Sequence, residues 1–132
     1  MEQRSLYTIL ENAPLAQDVF RLRLLGDAGW IKRPGQFVNI ALAGKYLRRP
    51  ISVCDWDGDV LTLIYKVVGS GTEQMSRMAP GEKLDLLTGL GNGFDAAPAR
   101  GKKIALAGGG VGVPPLYGLA RVLSRAGESV CC

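Results

Sequence analysis

The chain has no histidine among its 132 residues. Histidine is the commonest general base and imidazole ligand near neutral pH, so Ser-His-Asp sites, Cys-His sites and His-rich zinc sites are excluded. Cysteine is almost as scarce. Cys54, Cys131 and Cys132 form no C-x-x-C, and the adjacent pair is a poor chelate and a poor disulfide. They read as reduced thiols, and no metal ligand is expected in this chain. No signal-peptide core follows the opening MEQRSLYTIL, and no apolar run approaches membrane-spanning length. The expectation is a cytoplasmic protein without a membrane partner. Long basic blocks are missing too. The net charge is +4, but the densest cluster is YLRRP at 46–50, and only nine aromatics are available to stack on bases. Nucleic acid is therefore not an expected partner.

What is present suits a packed, turn-rich fold. Hydrophobic residues make up 47% and charged residues 21%, with 18 glycines. Short β-branched and aromatic runs occupy 5–12, 18–25, 36–42, 50–56, 59–68 and 83–90, separated by turn residues such as APLAQ and AGKYLRR. Phe20, Leu22 and Leu24 alternate with Val19, Arg21 and Arg23, the period of a strand with one wet face. DWDGD at 55–59 predicts a hairpin. In GSGTEQMSRMAPG, Ser70 and Glu73 have capping-box spacing, which predicts a helix over 71–78. Five or six antiparallel strands at this spacing predict a small closed barrel. After Gly101 the texture changes. KKIALAG reads as a strand buried on both faces, 114–127 has helical spacing, Gly127 is a natural stop, and ESVCC begins another strand. The fold class is mainly β: a barrel over 1–100, then the start of an α/β unit over 101–132.

Three stretches carry candidate chemistry. GGGVGVPP at 108–115 joins a strand to a helix, where backbone N–H groups face an anion. Gly108, Gly110 and Val113 take the slots of G-x-G-x-x-G, so the third glycine is missing, and a plain strand-to-helix turn fits as well. No G-K-[ST] follows, which argues against a P-loop. RRPISV at 48–53 offers an arginine and a serine around a proline, a set suited to a phosphate and a polar ring edge, or to a solvated edge strand. YKVVGSGTEQM at 65–75 ends a strand in Gly-Ser-Gly-Thr. If Ser70 caps the helix, Gly71 and Thr72 remain for an anion.

Together these motifs resemble the ferredoxin reductase-like flavoproteins, in which an antiparallel Greek-key FAD-binding barrel precedes a Rossmann-like nicotinamide domain. RPGQFVNI at 33–40 belongs to the same likeness. With TGLGNGF at 88–94 and AGGGVGVPPLYGLA, the chain most resembles the electron-transfer subunits of NAD-dependent dihydroorotate dehydrogenase B. That resemblance implies FAD contacts from Arg49 (pyrophosphate), Pro50, Ile51, Ser52 and Val53 (flavin), Tyr65, Lys66 and Val67, and Gly71 and Thr72. It implies that Gly109, Gly110, Gly112 and Pro114 face NAD. Hydride transfer between NAD and FAD needs no acid or base from the protein at the reacting carbon. The family passes electrons over a [2Fe–2S] cluster to a separate FMN-containing subunit that oxidises dihydroorotate to orotate. The cysteines of that cluster lie further along such chains, so this one is expected to be a truncated product or a partial sequence of a longer protein, with 102–132 loosely held if expressed as it stands. The alternatives are a reductase subunit of a hydrogenase or sulfur-reductase complex, a non-catalytic flavin-binding barrel, and a small basic barrel for single-stranded nucleic acid.

Overall fold

The protein is described by a computed structural model over residues 3–131; Cys132 lies outside the described residues. Six antiparallel strands form the first part. They are β1 (Gln3–Ala16), β2 (Val19–Leu25), β3 (Phe37–Ala41), β4 (Arg49–Asp57), β5 (Val60–Lys66) and β6 (Lys83–Leu90). They close in the order β1-β2-β5-β4-β3-β6, the barrel that the strand spacing predicts. Inward residues fill it: Leu22 and Leu24 from β2, Leu61 and Leu63 from β5, and Val38 and Ile40 from β3 are buried. Arg23 alternates with them and stays exposed. Closure leaves no free sheet edge around the core.

Two boundaries differ from the sequence reading. APLAQ is not a loop, because β1 runs through Pro14 to Ala16 and turns over two residues, with Asp18 at φ +59°. Proline is tolerated there because β6 pairs only as far as Thr8, leaving Pro14 with β2 on one edge. The helix after β5, α1 (Ser70–Ser76), starts one residue earlier than predicted and ends two earlier. Ser70 is not its cap. The Thr72 hydroxyl accepts from the N–H groups of Val68 and Gly69, at 2.9 and 3.2 Å, and lies 3.2 Å from the Gly69 carbonyl. Met75 of α1 joins the barrel core. Asn12 ties the helix down by donating to the Met75 and Met78 carbonyls and accepting from the Tyr65 hydroxyl.

RPGQF and GLGNGF interlock. Gln36, 7% exposed, accepts at Oε1 from the N–H groups of Lys32 and Arg33 and donates from Nε2 to the Gly91 carbonyl at 3.0 Å. Its own carbonyl accepts from Val53 of β4 at 3.0 Å. Phe94 N–H donates to the Pro34 carbonyl, and Gly93 (φ +69°) lies so close that a Cβ would sit 2.6 Å from Arg33 Cβ. Glycine alone supplies that backbone shape without a clash.

The second part contains β7 (Lys103–Ala105), a 3₁₀ turn (Gly110–Gly112), α2 (Val113–Arg125) and β8 (Ser129–Cys131), with β7 and β8 parallel. Gly127 (φ +82°) follows the helix as the sequence suggests. β7 was expected to be buried on both faces. Instead Lys103 and Ala105 are exposed and Ile104 is half-buried, because one neighbouring strand and one helix cannot cover a sheet. Nor is the segment free of the barrel: α2 seats Pro114, Gly118, Leu119 and Leu123 in buried positions and packs on β4.

Replacing Gln36 with leucine leaves two N–H groups and one carbonyl without their partner. We expect Gln36→Leu to lose about 2–3 kcal/mol, the cost of orphaning buried polar groups, read from the urea midpoint.

Candidate functional site

On the barrel's outer surface a groove of about 350 Å³ runs between the start of β4 and the end of β5. Arg49, Pro50, Ile51 and Ser52 form one wall, and Tyr65 and Lys66 contribute to the other. Thr72 from the start of α1 closes one end. Seven of the residues singled out in the sequence therefore meet in one place. Neighbouring antiparallel strands bring them together, since β4 and β5 pair from Val53–Leu63 onward and splay before it.

Adjacent arginines part company here. Arg48 turns to the barrel, where Nη2 meets the Asp85 carboxylate at 3.1 Å and Nη1 donates to the Asn39 and Asp85 carbonyls. Arg49 turns to the groove. Its guanidinium donates to the Leu47 carbonyl at 2.9 Å and forms no ion pair among the described residues. Gly71 lies directly beneath it, where any Cβ would collide with the arginine side chain. An uncompensated guanidinium over a glycine is a cradle for an anionic group. The Ser52 hydroxyl, half-buried, makes no hydrogen bond to another described residue.

Other expected residues are placed differently. The Val53 side chain is 1% exposed and belongs to the barrel core. Val67 packs against that core, and its N–H donates to Asp18. Tyr65 stacks on Phe20 with ring centroids 5.7 Å apart and spends its hydroxyl on Asn12. Burial pushes that phenol up to about 12, partly offset by Asn12, so it stays protonated. Thr72 is buried with its hydroxyl committed to the helix start. Gly109, Gly110, Gly112 and Pro114 do not line the groove, but Val111 between them does. Ile64 and Val68 also line it and were not singled out. Ile64 was legible as an apolar residue on the wet face of β5, alternating with buried Leu63 and Tyr65. The walls are thus largely apolar, with two cationic side chains, Arg49 and Lys66, and the free Ser52 hydroxyl among them. That donor set suits a flat ring system carrying a phosphate.

Among the described residues, no helix is long and apolar enough to cross a membrane. Nor does any group of three or more His, Cys, Asp or Glu there form a candidate metal site. Cys54 is buried, and its thiol is pushed up to about 11 by that burial and by Asp55.

No family model matches the chain. Its curated relatives include the electron transfer subunit of dihydroorotate dehydrogenase B (NAD(+)) from Enterococcus faecalis, 42% identical over 97% of this chain and 51% of that protein. Subunits of the same name from a Geobacillus species (42%, covering 98% and 53%) and Fusobacterium nucleatum (38%, covering 91% and 49%) match likewise. The chain spans about half the length of these relatives. Among solved structures, the NADH-dependent reduced ferredoxin-NADP oxidoreductase superposes with TM-score 0.84 at 32% identity, covering 96% of this chain and 46% of that one. The Amycolatopsis cytochrome P450 reductase GcoB gives TM-score 0.84 at 28% identity, covering 98% and 42%. The fold is that of the ferredoxin reductases.

Asp85 keeps Arg48 out of the groove. The bound Arg4 guanidinium, with Arg48 adding to it, holds the Asp85 carboxyl below its ordinary range against an upward push from burial. A depressed folded-state value stabilises fully above the ordinary carboxylate pKa of about 3.9, and the contribution is lost as pH falls through the folded value. Urea midpoints of wild type and Asp85→Asn should therefore differ at neutral pH and converge below that range.

Proposed function

From the chain's likeness, over 97% of its own length, to a dihydroorotate dehydrogenase B electron-transfer subunit, we propose that its barrel holds FAD in the groove. We further propose that the protein passes electrons between NAD and a dihydroorotate-oxidising partner subunit. FAD, when bound, supplies the hydride-accepting and electron-transfer chemistry. The observation that carries the reading is the Arg49 guanidinium, without an ion pair among the described residues, over Gly71 at one end of a largely apolar groove that Lys66 and Ser52 also line.

Each residue then has a task. Arg49 binds the pyrophosphate, and Gly71 permits its close approach. Thr72 holds the Val68–Gly71 turn in shape through its own hydrogen bonds. Pro50 and Ile51, with Ile64 opposite, exclude water from the ring system. Ser52 offers its hydroxyl to the ring's polar edge, and Tyr65 and Lys66 form the facing wall. Val53 and Val67 support the two strands from the core side. The turn bearing Gly109, Gly110 and Gly112, with Pro114 in the first turn of α2, faces the nicotinamide nucleotide. No side chain needs to move a proton at the reacting carbon, which accords with a chain lacking histidine.

The partner in this reading is an FMN-containing dihydroorotate dehydrogenase subunit, in cytoplasmic pyrimidine biosynthesis. In this reading none of Cys54, Cys131 or Cys132 is assigned to a [2Fe–2S] centre. The division of labour is a flavin barrel over 1–100 and nicotinamide-facing elements over 101–132. The likeness to the NADH-dependent ferredoxin-NADP oxidoreductase supports the same groove with a different electron acceptor.

Purified chain should be yellow, or should become so on adding FAD; a colourless chain that takes up none would overturn the reading. Arg49→Ala should weaken FAD binding by about 1–3 kcal/mol, the range for hydrogen bonds to charged groups. Flavin titration checks this, and unchanged affinity would remove Arg49 from the site.

A further inference from the structure

Strand β4 has two functions along its nine residues. Arg49–Ser52 line the groove, and Cys54–Trp56 carry α2. Gly118 presses so close that a Cβ would sit 2.8 Å from the Cys54 carbonyl oxygen. One turn further on, Arg121 pairs with Asp55 at 2.7 Å, with side chains only 18% and 24% exposed. The same guanidinium donates to the Trp56 carbonyl at 3.1 Å and lies 5.6 Å from the centre of the Trp56 ring. It therefore grips a side chain, a backbone carbonyl and a ring at once, while its Nε is buried without a partner among the described residues.

A helix that needed only burial would be served as well by an apolar residue at 121, since sequestered ion pairs add little net stability over good packing. What a planar, three-point grip adds is a fixed position. The helix starts at Val113, directly after the Gly110–Gly112 turn. Val111 of that turn closes the groove. A helix rises about 1.5 Å per residue and is stiff over this span, so fixing it at 121 fixes the turn.

We propose that Arg121 is a positioning residue, whose clasp on Asp55 and Trp56 holds the Gly109–Gly112 turn in register with the flavin groove. This rests on the FAD reading above. Loss of the clasp frees the turn without emptying the groove, because the groove's own residues lie on the barrel.

The test uses the 132-residue chain reconstituted with FAD, comparing wild type with Arg121→Ala, Arg121→Lys and Gly118→Ala. The quantities read are FAD affinity, the fluorescence yield of bound flavin and amide exchange over 109–113. Arg121→Ala should keep FAD affinity within about threefold, while flavin fluorescence rises about twofold or more and exchange quickens about tenfold. Arg121→Lys retains the charge and should recover part of the quenching. Gly118→Ala pushes the helix off Cys54 without touching Arg121 and should give the same signature; these two variants carry the test if Arg121→Ala does not fold. A lower melting temperature with unchanged fluorescence would overturn the proposal, leaving Arg121 a purely structural role. Loss of FAD by Arg121→Ala would also overturn it, because the residue would then govern affinity rather than position. Wild type that takes up no FAD would sink the FAD reading itself, and this inference with it.

Discussion

A single buried amide holds together the parts of this protein that matter. Gln36 accepts two N–H groups of the loop before β3, donates to the exit of β6, and receives β4 through its own carbonyl. Neutral hydrogen bonds of this kind contribute only modestly one by one, but leaving any of them unmade in a dry interior is costly. The loop and the β6 exit therefore move as a unit. Both the groove-lining part of β4 and the platform under α2 take their place from it, because Val53 is the residue of β4 that Gln36 holds. Pro34, two residues before it, lies 3.6 Å from where a Gly118 Cβ would be.

The second organising fact is that β4 is shared. One stretch of chain lines the groove and then supports the helix that leads from the glycine turn. The two halves of the proposed site are therefore linked through backbone rather than through a flexible connection. Among the described residues helix α2 rests on the barrel and on the two-stranded β7–β8 pair, and β7 is left largely exposed. The barrel is its principal support, which gives the Arg121 contacts more weight than a surface ion pair normally has.

Most of the barrel was legible in the residue pattern. Alternation in β2 and the Asp-Gly-Asp turn after β4 each encode their geometry locally, and so does Gly127 after α2. The misses share a cause, which is that they depend on partners distant in sequence. Pro14 reads as a loop until it is known that one edge of β1 carries no neighbour there. Ser70 and Thr72 both carry a hydroxyl, and the path of the backbone at Gly69 decides which one caps. RPGQF and GLGNGF were recognised through a family likeness, yet their interlocking is visible only once β3 and β6 lie side by side. On β4, Arg49, Ile51 and Ser52 line the groove, whereas Val53, which strict alternation would place on the same face as Arg49 and Ile51, lies in the core. Val111, between two glycines, carries no local mark of a groove residue. Its role comes from the docking of α2, which no local pattern encodes.

The Arg48–Arg49 pair has a consequence for how sequences of this kind drift. To a substitution table the two positions are interchangeable, being the same residue at adjacent positions of the chain. In three dimensions they belong to different selective regimes. Arg48 answers to Asp85, a carboxylate it shares with Arg4. Arg49 answers to Gly71, where a side chain would push the guanidinium out of its present place. Covariation in relatives should thus couple 48 with 85 and 49 with 71. A lineage that lost its groove ligand would be expected to release the second pair first and keep the barrel intact.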